Sequence, residues 1–131
     1  MPAVFKHSLV TQIGTVPTDV VTIGAGVRAT VIGCNLANVT DYDTVIADLL
    51  VVGADSTVSY YIRGLVIPPN TSVKVVTQGE KLILPETTGL RLVSDTPDSI
   101  DATISYVEIS SGLYYAKHIL FRYKPRRSTR R

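Results

Sequence analysis

The sequence predicts an all-β protein, built as a single antiparallel β-sandwich of about eight strands with either jelly-roll or Greek-key connectivity. Three observations lead to this prediction. Apolar and polar residues alternate in short segments, and turn residues recur about every 8 to 12 positions. No segment before residue 110 combines helix caps with an apolar period of about 3.6 residues. At 131 residues, the chain has the length of one domain that can bury a core without disulfides or metal.

Residues 27–40 (VRATVIGCNLANVT) form the most apolar segment, and we expect them to be a central strand. Their β-branched residues disfavour a helix. Simple alternation along a strand places Ile32, Cys34 and Leu36 on one face. It places Ala29 and Val31 on the other. Most of the other strands should therefore pair with this segment or pack over it.

The other predicted strands are short alternating segments, each bounded by Gly, Pro, Asn or Asp. Residues 44–52 are apolar on both faces, which predicts a strand that is covered on both sides. Within residues 56–67, Gly64 is predicted to mark a β-bulge. In chain order, the predicted strands are residues 20–23, 27–40, 44–52, 56–67, 71–77, 81–84, 90–94 and 100–109.

The two ends of the chain differ from this body. Residues 1–19 carry scattered apolar residues and Pro17, a pattern that suits an N-terminal arm or a short edge strand. Residues 20–109 make up the predicted β-sandwich domain. Residues 110–131 begin with the turn-forming sequence SSG and are predicted to form a separate C-terminal tail.

Charge is distributed unevenly along the chain. Residues 1–109 contain six basic residues and all eleven acidic ones, whereas residues 110–131 contain seven basic residues and no acidic one. The tail joins an apolar, aromatic segment (LYYAKHILFRY) to a basic end (KPRRSTRR), a combination typical of a docking segment. The alternative is a last strand of the domain's own sheet with a frayed end. The residues predicted to bind a partner are Tyr114, Tyr115, Phe121, Arg122, Tyr123, Lys124, Arg126, Arg127, Arg130 and Arg131.

Two kinds of partner fit this tail. Its basic residues could make salt-sensitive phosphate contacts with a nucleic acid, and its aromatic residues could stack on bases. The acidic body would repel a duplex lying along it, however, so we favour the acidic surface of a neighbouring protein subunit. Nucleic acid is the second choice of partner.

The sequence contains no arrangement of residues that is typical of an enzyme or a metal site. Cys34 is the single cysteine, and its place on an apolar strand face predicts a small buried hydrophobe rather than a nucleophile. His7 and His118 lie near opposite ends of the chain. Asp41 and Asp43 are more typical of a turn than of a calcium site. We therefore expect no catalysis, no cofactor and no metal.

We also expect no membrane partner. No apolar run approaches the roughly 20 residues needed to span a bilayer. The N-terminal sequence MPAVFKHSLV has one lysine and no long apolar run, and so is unlike a signal peptide.

Five segments of the body follow one another in an order that resembles small virion structural proteins of tailed bacteriophages. These segments are TVIGCNLANVT, YYIRGLVIPPNTSVKVV, GEKLIL, GLRLVSDT and ISYVEI. In the proteins they resemble, such segments form the strands, turns and hairpin of a compact β-sandwich. The similarity covers residues 18–109, and the basic tail lies outside it.

The resemblance implies a non-enzymatic component of a virus particle. We expect a capsid decoration (cement) protein in the virion that bridges neighbouring copies of the major capsid protein and forms a homo-oligomer, such as a trimer. A neck, tail or baseplate component is the alternative within the virion. A carbohydrate- or receptor-binding module and a nucleic-acid-binding protein are alternatives of other classes. The sequence has no Trp and places only Tyr42 in a predicted body loop, which disfavours carbohydrate binding.

Overall fold

The computed structural model of the protein describes residues 3–77 and 79–110, in which all regular structure is β. Alternating apolar residues bring each strand into contact with one shared core, as the sequence predicts. The strands are β1 (Ala3–Ile13), β2 (Thr18–Thr22), β3 (Val27–Asn38), β4 (Val45–Val52), β5 (Val58–Ile67), β6 (Ser72–Val76), β7 (Leu82–Leu84), β8 (Gly89–Ser94) and β9 (Ile100–Ser110).

The strands form two antiparallel sheets that pack face to face, which confirms the predicted β-sandwich. One sheet has the order β1-β9-β3-β6, and the other has the order β2-β8-β4-β5. The strand β7 also pairs with β3, beyond the end of β6, so β6 and β7 share one position in the sheet. Each sheet therefore has four strand positions, and consecutive strands of the chain mostly alternate between the two sheets. This is the strand order of a jelly roll.

The strand β3 is central, as predicted, because it pairs with β9 on one side and with β6 and β7 on the other. The predicted assignment of its faces is wrong. Ala29 and Val31 lie in the core together with Cys34, whereas Ile32 is 39% exposed. The reason is a register shift between Val31 and Gly33, which reverses the alternation of side chains within the strand.

The N-terminal segment forms an eleven-residue edge strand rather than a free arm or a short strand. Residues 3–10 pair in an unbroken register with the C-terminal half of β9, which extends as far as Ser110 and offers a long ladder. An ion pair joins Lys6 to Glu108 across this ladder at 2.9 Å. Ser8 Oγ donates to the carbonyl oxygen of Val20 at 2.6 Å, which ties β1 to β2 in the other sheet.

The pairing of β4 with β5 confirms the predicted bulge at Gly64. Register shifts between Ala47 and Leu49, where β5 has an extra residue. Gly64 adopts a φ of 73°, a left-handed conformation that favours glycine. Its backbone N–H donates to Asp48 Oδ1 at 2.8 Å, so an aspartate on β4 holds the bulge in place.

Asn38, at the end of β3, links the two sheets. Its side-chain amide donates to the carbonyl oxygens of Asp43 at 2.8 Å, Ile67 at 2.9 Å and Pro68 at 3.1 Å. Its Oδ1 accepts from the backbone N–H of Thr40 at 2.9 Å and from the hydroxyl of Thr40 at 2.7 Å. The side chain is buried, and so one residue of the first sheet fixes the ends of β4 and β5 in the second.

We expect Asn38→Ala to lower the free energy of unfolding by about 3 kcal/mol, because it leaves several buried backbone groups without a partner. The matched control is Asn35→Ala, at a half-buried position of the same strand, for which we expect a change of about 0.5 kcal/mol or less. Urea unfolding followed by circular dichroism measures both. Equal effects of the two substitutions would contradict the role assigned to Asn38.

Candidate interaction surfaces

The residues predicted to bind a partner lie in the tail beyond Ser110, outside the described residues. The surfaces that the structure does describe are the outward faces of the two sheets and the loops at their ends. In an antiparallel sandwich these outward faces usually carry polar side chains. Both outward faces of this protein depart from that rule.

The first surface lies on the outward face of β4 and β5, and we call it the outer β4–β5 face. This face consists of pairs of apolar residues, one residue from each strand. The two members of a pair lie directly opposite each other, and opposite residues point to the same side of the sheet. The residues that the structure describes cover the second face of β4 only in part, although the sequence predicts cover on both sides: Leu50 is buried, whereas Ile46 is exposed. The pairs are Ile46 with Val66, Leu50 with Tyr60, and Val52 with Val58.

Exposure on the outer β4–β5 face is high. Ile46 is 45% exposed and Val66 is 56% exposed. The guanidinium carbon of Arg63 lies 4.9 Å from the centre of the Tyr60 ring, in the range of a cation–π contact. A flat aromatic residue with an arginine beside it, surrounded by aliphatic side chains, is the composition of the centre of many protein–protein interfaces.

The second surface lies on the outward face of the other sheet, near its β1 edge. Phe5 on β1 is opposite Val107 on β9. Val107 is in turn opposite Thr30 on β3, and Thr30 is opposite Ile83 on β7. These four side chains therefore form a row across the sheet, which we call the β1–β7 row. Phe5 is 77% exposed, so the row is open to a partner.

The candidate chemical groups of the described residues do not come together into a reactive site. His7 is on the exposed edge strand β1, and Cys34 is buried within β3. Among residues 3–77 and 79–110, no three His, Cys, Asp or Glu side chains are grouped so that they could hold a metal ion. One open groove in this part of the chain has a volume of about 280 Å³. No helix in the described part is long and apolar enough to cross a bilayer.

Burial accounts for the state of Cys34. The thiol is 3% exposed, and burial raises its pKa from 9.0 to about 12. Loss of the proton is therefore harder in the folded protein than in the unfolded one. The neutral thiol contributes stability that is present below pH 9 and is lost as the pH rises towards 12.

We expect the native protein to react with an aromatic disulfide reagent at pH 8 at least about a hundredfold more slowly than the same protein in urea, because only the exposed thiolate is nucleophilic. An Ala54→Cys variant, which places a second thiol in an exposed turn, provides the control and should react with one equivalent at once. Rapid native labelling of the parent protein would show that Cys34 is accessible.

Comparison with known proteins supports the fold. No family model matches the sequence, and no curated protein matches it either. A solved structure from Bacillus endospore appendages, described as a novel family of disulfide-linked pili, has 7% sequence identity and a TM-score of 0.51. That match covers 82% of this chain and 88% of the pilus chain. At this level of identity the likeness shows a shared fold and nothing more.

A second solved structure, from the Gt strain of infectious bursal disease virus, has 13% sequence identity and a TM-score of 0.40. It matches 86% of this chain but only 32% of the viral chain. The overall similarity of this pair is too low to support an argument about this protein.

Sequence reasoning missed most of these surfaces. Phe5 and Leu9 belong to the scattered apolar residues of the predicted N-terminal arm, whereas their exposure and their place on β1 make them part of an outward face. Their spacing of four, an even number, is the pattern that could have indicated one face of a strand. The apolar second face of β4 is evident in the sequence, but only the structure shows that the described residues leave Ile46 on that face exposed.

Proposed function

We propose that this protein is a non-enzymatic structural subunit of an assembled particle. The observation that carries this proposal is the outer β4–β5 face, where apolar residues are paired across two strands and stay exposed. Exposed apolar patches of this kind are costly in a protein that works alone, and they usually mark binding surfaces. The jelly-roll body, shared with a pilus structure, supplies a rigid support for such surfaces.

Within this class, we propose a capsid decoration protein of a tailed bacteriophage. The order of strand segments noted in the sequence supports this more specific assignment. The protein would act in the virion as an oligomer, with its body and its basic, aromatic tail bound to neighbouring capsid subunits. A neck, tail or baseplate component uses the same features on a different part of the particle.

The similarity to disulfide-linked pili does not extend to their cross-links. This chain has one cysteine, and its thiol is buried in the core. Any assembly built by this protein would therefore depend on non-covalent contacts. Apolar faces and a charged tail are suited to that, because many copies of a weak contact together give strong attachment.

The test is co-sedimentation of the purified protein with capsids of the phage that encodes it. We expect saturable binding at a fixed ratio to the major capsid protein. We also expect Val66→Lys, which places a charge on an exposed apolar position of the outer β4–β5 face, to weaken binding by about tenfold or more. Thr103→Lys is the matched control, because Thr103 is also exposed on an outward strand face, in the other sheet.

A protein that stays in the supernatant at saturating capsid concentration would overturn the decoration role. Binding to purified tails instead of capsids would support the neck or tail alternative. Binding to DNA that disappears at high salt would favour the nucleic-acid reading of the tail, since phosphate contacts weaken steeply with ionic strength.

A further inference from the structure

The loops at one end of the sandwich carry acidic residues and no basic one, whereas the loops at the other end carry both kinds. Four loops meet at one end, and they comprise residues 14–17, 39–44, 68–71 and 95–99. No lysine or arginine occurs in these loops, and we call this part of the molecule the acidic loop end. Its acidic residues are Asp41, Asp43, Asp95 and Asp98.

Apolar side chains project from the same loops. Tyr42 is 91% exposed and Val16 is 72% exposed, and Val39 adds a third apolar side chain. Beside Val16, an open groove of about 280 Å³ runs between residues 12–18 and residues 97–98. The acidic loop end therefore presents apolar and anionic side chains on one surface. Ordinary solvent-exposed loops present mainly polar side chains.

The loops of this end are held together by hydrogen bonds. The Val39 N–H donates to the carbonyl oxygen of Ser99 at 2.9 Å, and the Asn70 N–H donates to that of Thr40 at 3.2 Å. Among the described residues, the side chains of Asp41 and Asp43 make no hydrogen bond or ion pair. These two carboxylates are thus presented on a fixed support and are available to an external cation.

The chain continues from the opposite end of the sandwich. The strand β9 starts at the acidic loop end and finishes with Ser110, which pairs with Val27 at the start of β3. A twelve-residue strand such as β3 spans roughly 40 Å, so the tail leaves the body about that far from the acidic loop end. Residues 111–131 then carry seven basic residues and no acidic one.

We propose that the acidic loop end binds residues 111–131 of a second copy of this chain, so that copies associate head to tail. The aromatic part of the incoming tail would contact Tyr42 and Val16, and its arginines would pair with Asp41 and Asp43. This proposal rests on the proposed structural role only in treating the protein as an assembling subunit. It assigns the tail to a neighbouring copy of this chain in place of a capsid subunit, and it leaves the outward faces of the body for the capsid.

A second copy fits this surface better than the chain's own tail does. To reach its own acidic loop end, the tail would need about twelve of its residues to cover the roughly 40 Å along the body. The aromatic part of the tail would then lie along the body and could not contact the acidic loop end. In an end-to-end arrangement, the tail leaves one body directly beside the acidic loop end of the next, and both its aromatic and its basic parts can bind there.

A contact between two different surfaces of one chain has a consequence for symmetry. Copies joined head to tail either close into a ring or continue as a filament, depending on the rotation from one copy to the next. A closed ring of a few copies is compatible with a decoration protein on a symmetric particle. The contact is electrostatic in part, so it should weaken as salt rises.

The first experiment measures the mass of the full-length protein by light scattering across a range of concentrations. At low ionic strength, we expect Asp41→Asn combined with Asp43→Asn to reduce the association constant about tenfold or more, because two charge pairs are lost. The control is His7→Lys combined with Thr103→Lys, at exposed positions within β1 and β9 and away from both ends of the sandwich. It changes the net charge by the same amount and should leave the association constant within about twofold.

The second experiment exchanges the charges across the contact. Asp41→Lys with Asp43→Lys should abolish self-association, and so should Arg126→Glu with Arg127→Glu. A mixture of the two variants should associate again, because each positive surface now meets a negative one. Circular dichroism of each variant confirms that the body is folded before the masses are compared.

Three results would overturn the proposal. The full-length protein could be a monomer at all concentrations, the His7 and Thr103 control could weaken association as much as the aspartate substitutions, or the mixed variants could fail to associate. The test is separate from that of the proposed function. Self-association without binding to capsids would support the head-to-tail contact and contradict the decoration role. A monomer that binds capsids would support the decoration role and contradict the head-to-tail contact.

Discussion

The antiparallel ladder between β3 and β9 is the interaction on which the rest of this structure depends. It joins eleven positions, from Val27 paired with Ser110 to Asn38 paired with Ile100. Because β9 is the last described strand and also pairs with the edge strand β1, both ends of the body lie next to each other in one sheet. Contacts between positions so distant in sequence form late and at a high entropic cost, so the ladder makes this fold a cooperative unit.

The irregularities in the strands follow from this arrangement. The register shift next to Gly33 turns Ile32 outward, and the bulge at Gly64 is held by Asp48. A bulge increases the local twist of a strand, and twisted edges are poor templates for pairing with other chains. The edge strand β5 contains such a bulge, while its side chains remain apolar on the outward face. This geometry favours contacts through the face of the sheet over contacts through its edge.

The amount of structure that could be predicted from the sequence differs between the body and the surface. Alternation and turn residues were enough to place β3 as the central strand and to mark the bulge at Gly64, because both depend on local pattern. The faces of β3 could not be assigned correctly, because the register shift between Val31 and Gly33 lies inside one continuous apolar segment and inverts the alternation after it. The pairing of β1 with β9 could not be predicted either. The two segments are about one hundred residues apart in the sequence, and their composition does not indicate which strand pairs with which.

The candidate surfaces show the same division. The basic tail was evident from charge alone, but the acidic loop end is spread over four loops that are far apart in the sequence and close together only in the fold. No loop contains more than two aspartates, and one or two aspartates are common in an ordinary turn. The jelly-roll connectivity brings these loops together at the end of the sandwich opposite Ser110. The acidic residues of the loops and the basic tail therefore start from opposite ends of the molecule. The head-to-tail contact proposed above would join these unlike ends, and such a contact gives an assembly of copies a direction.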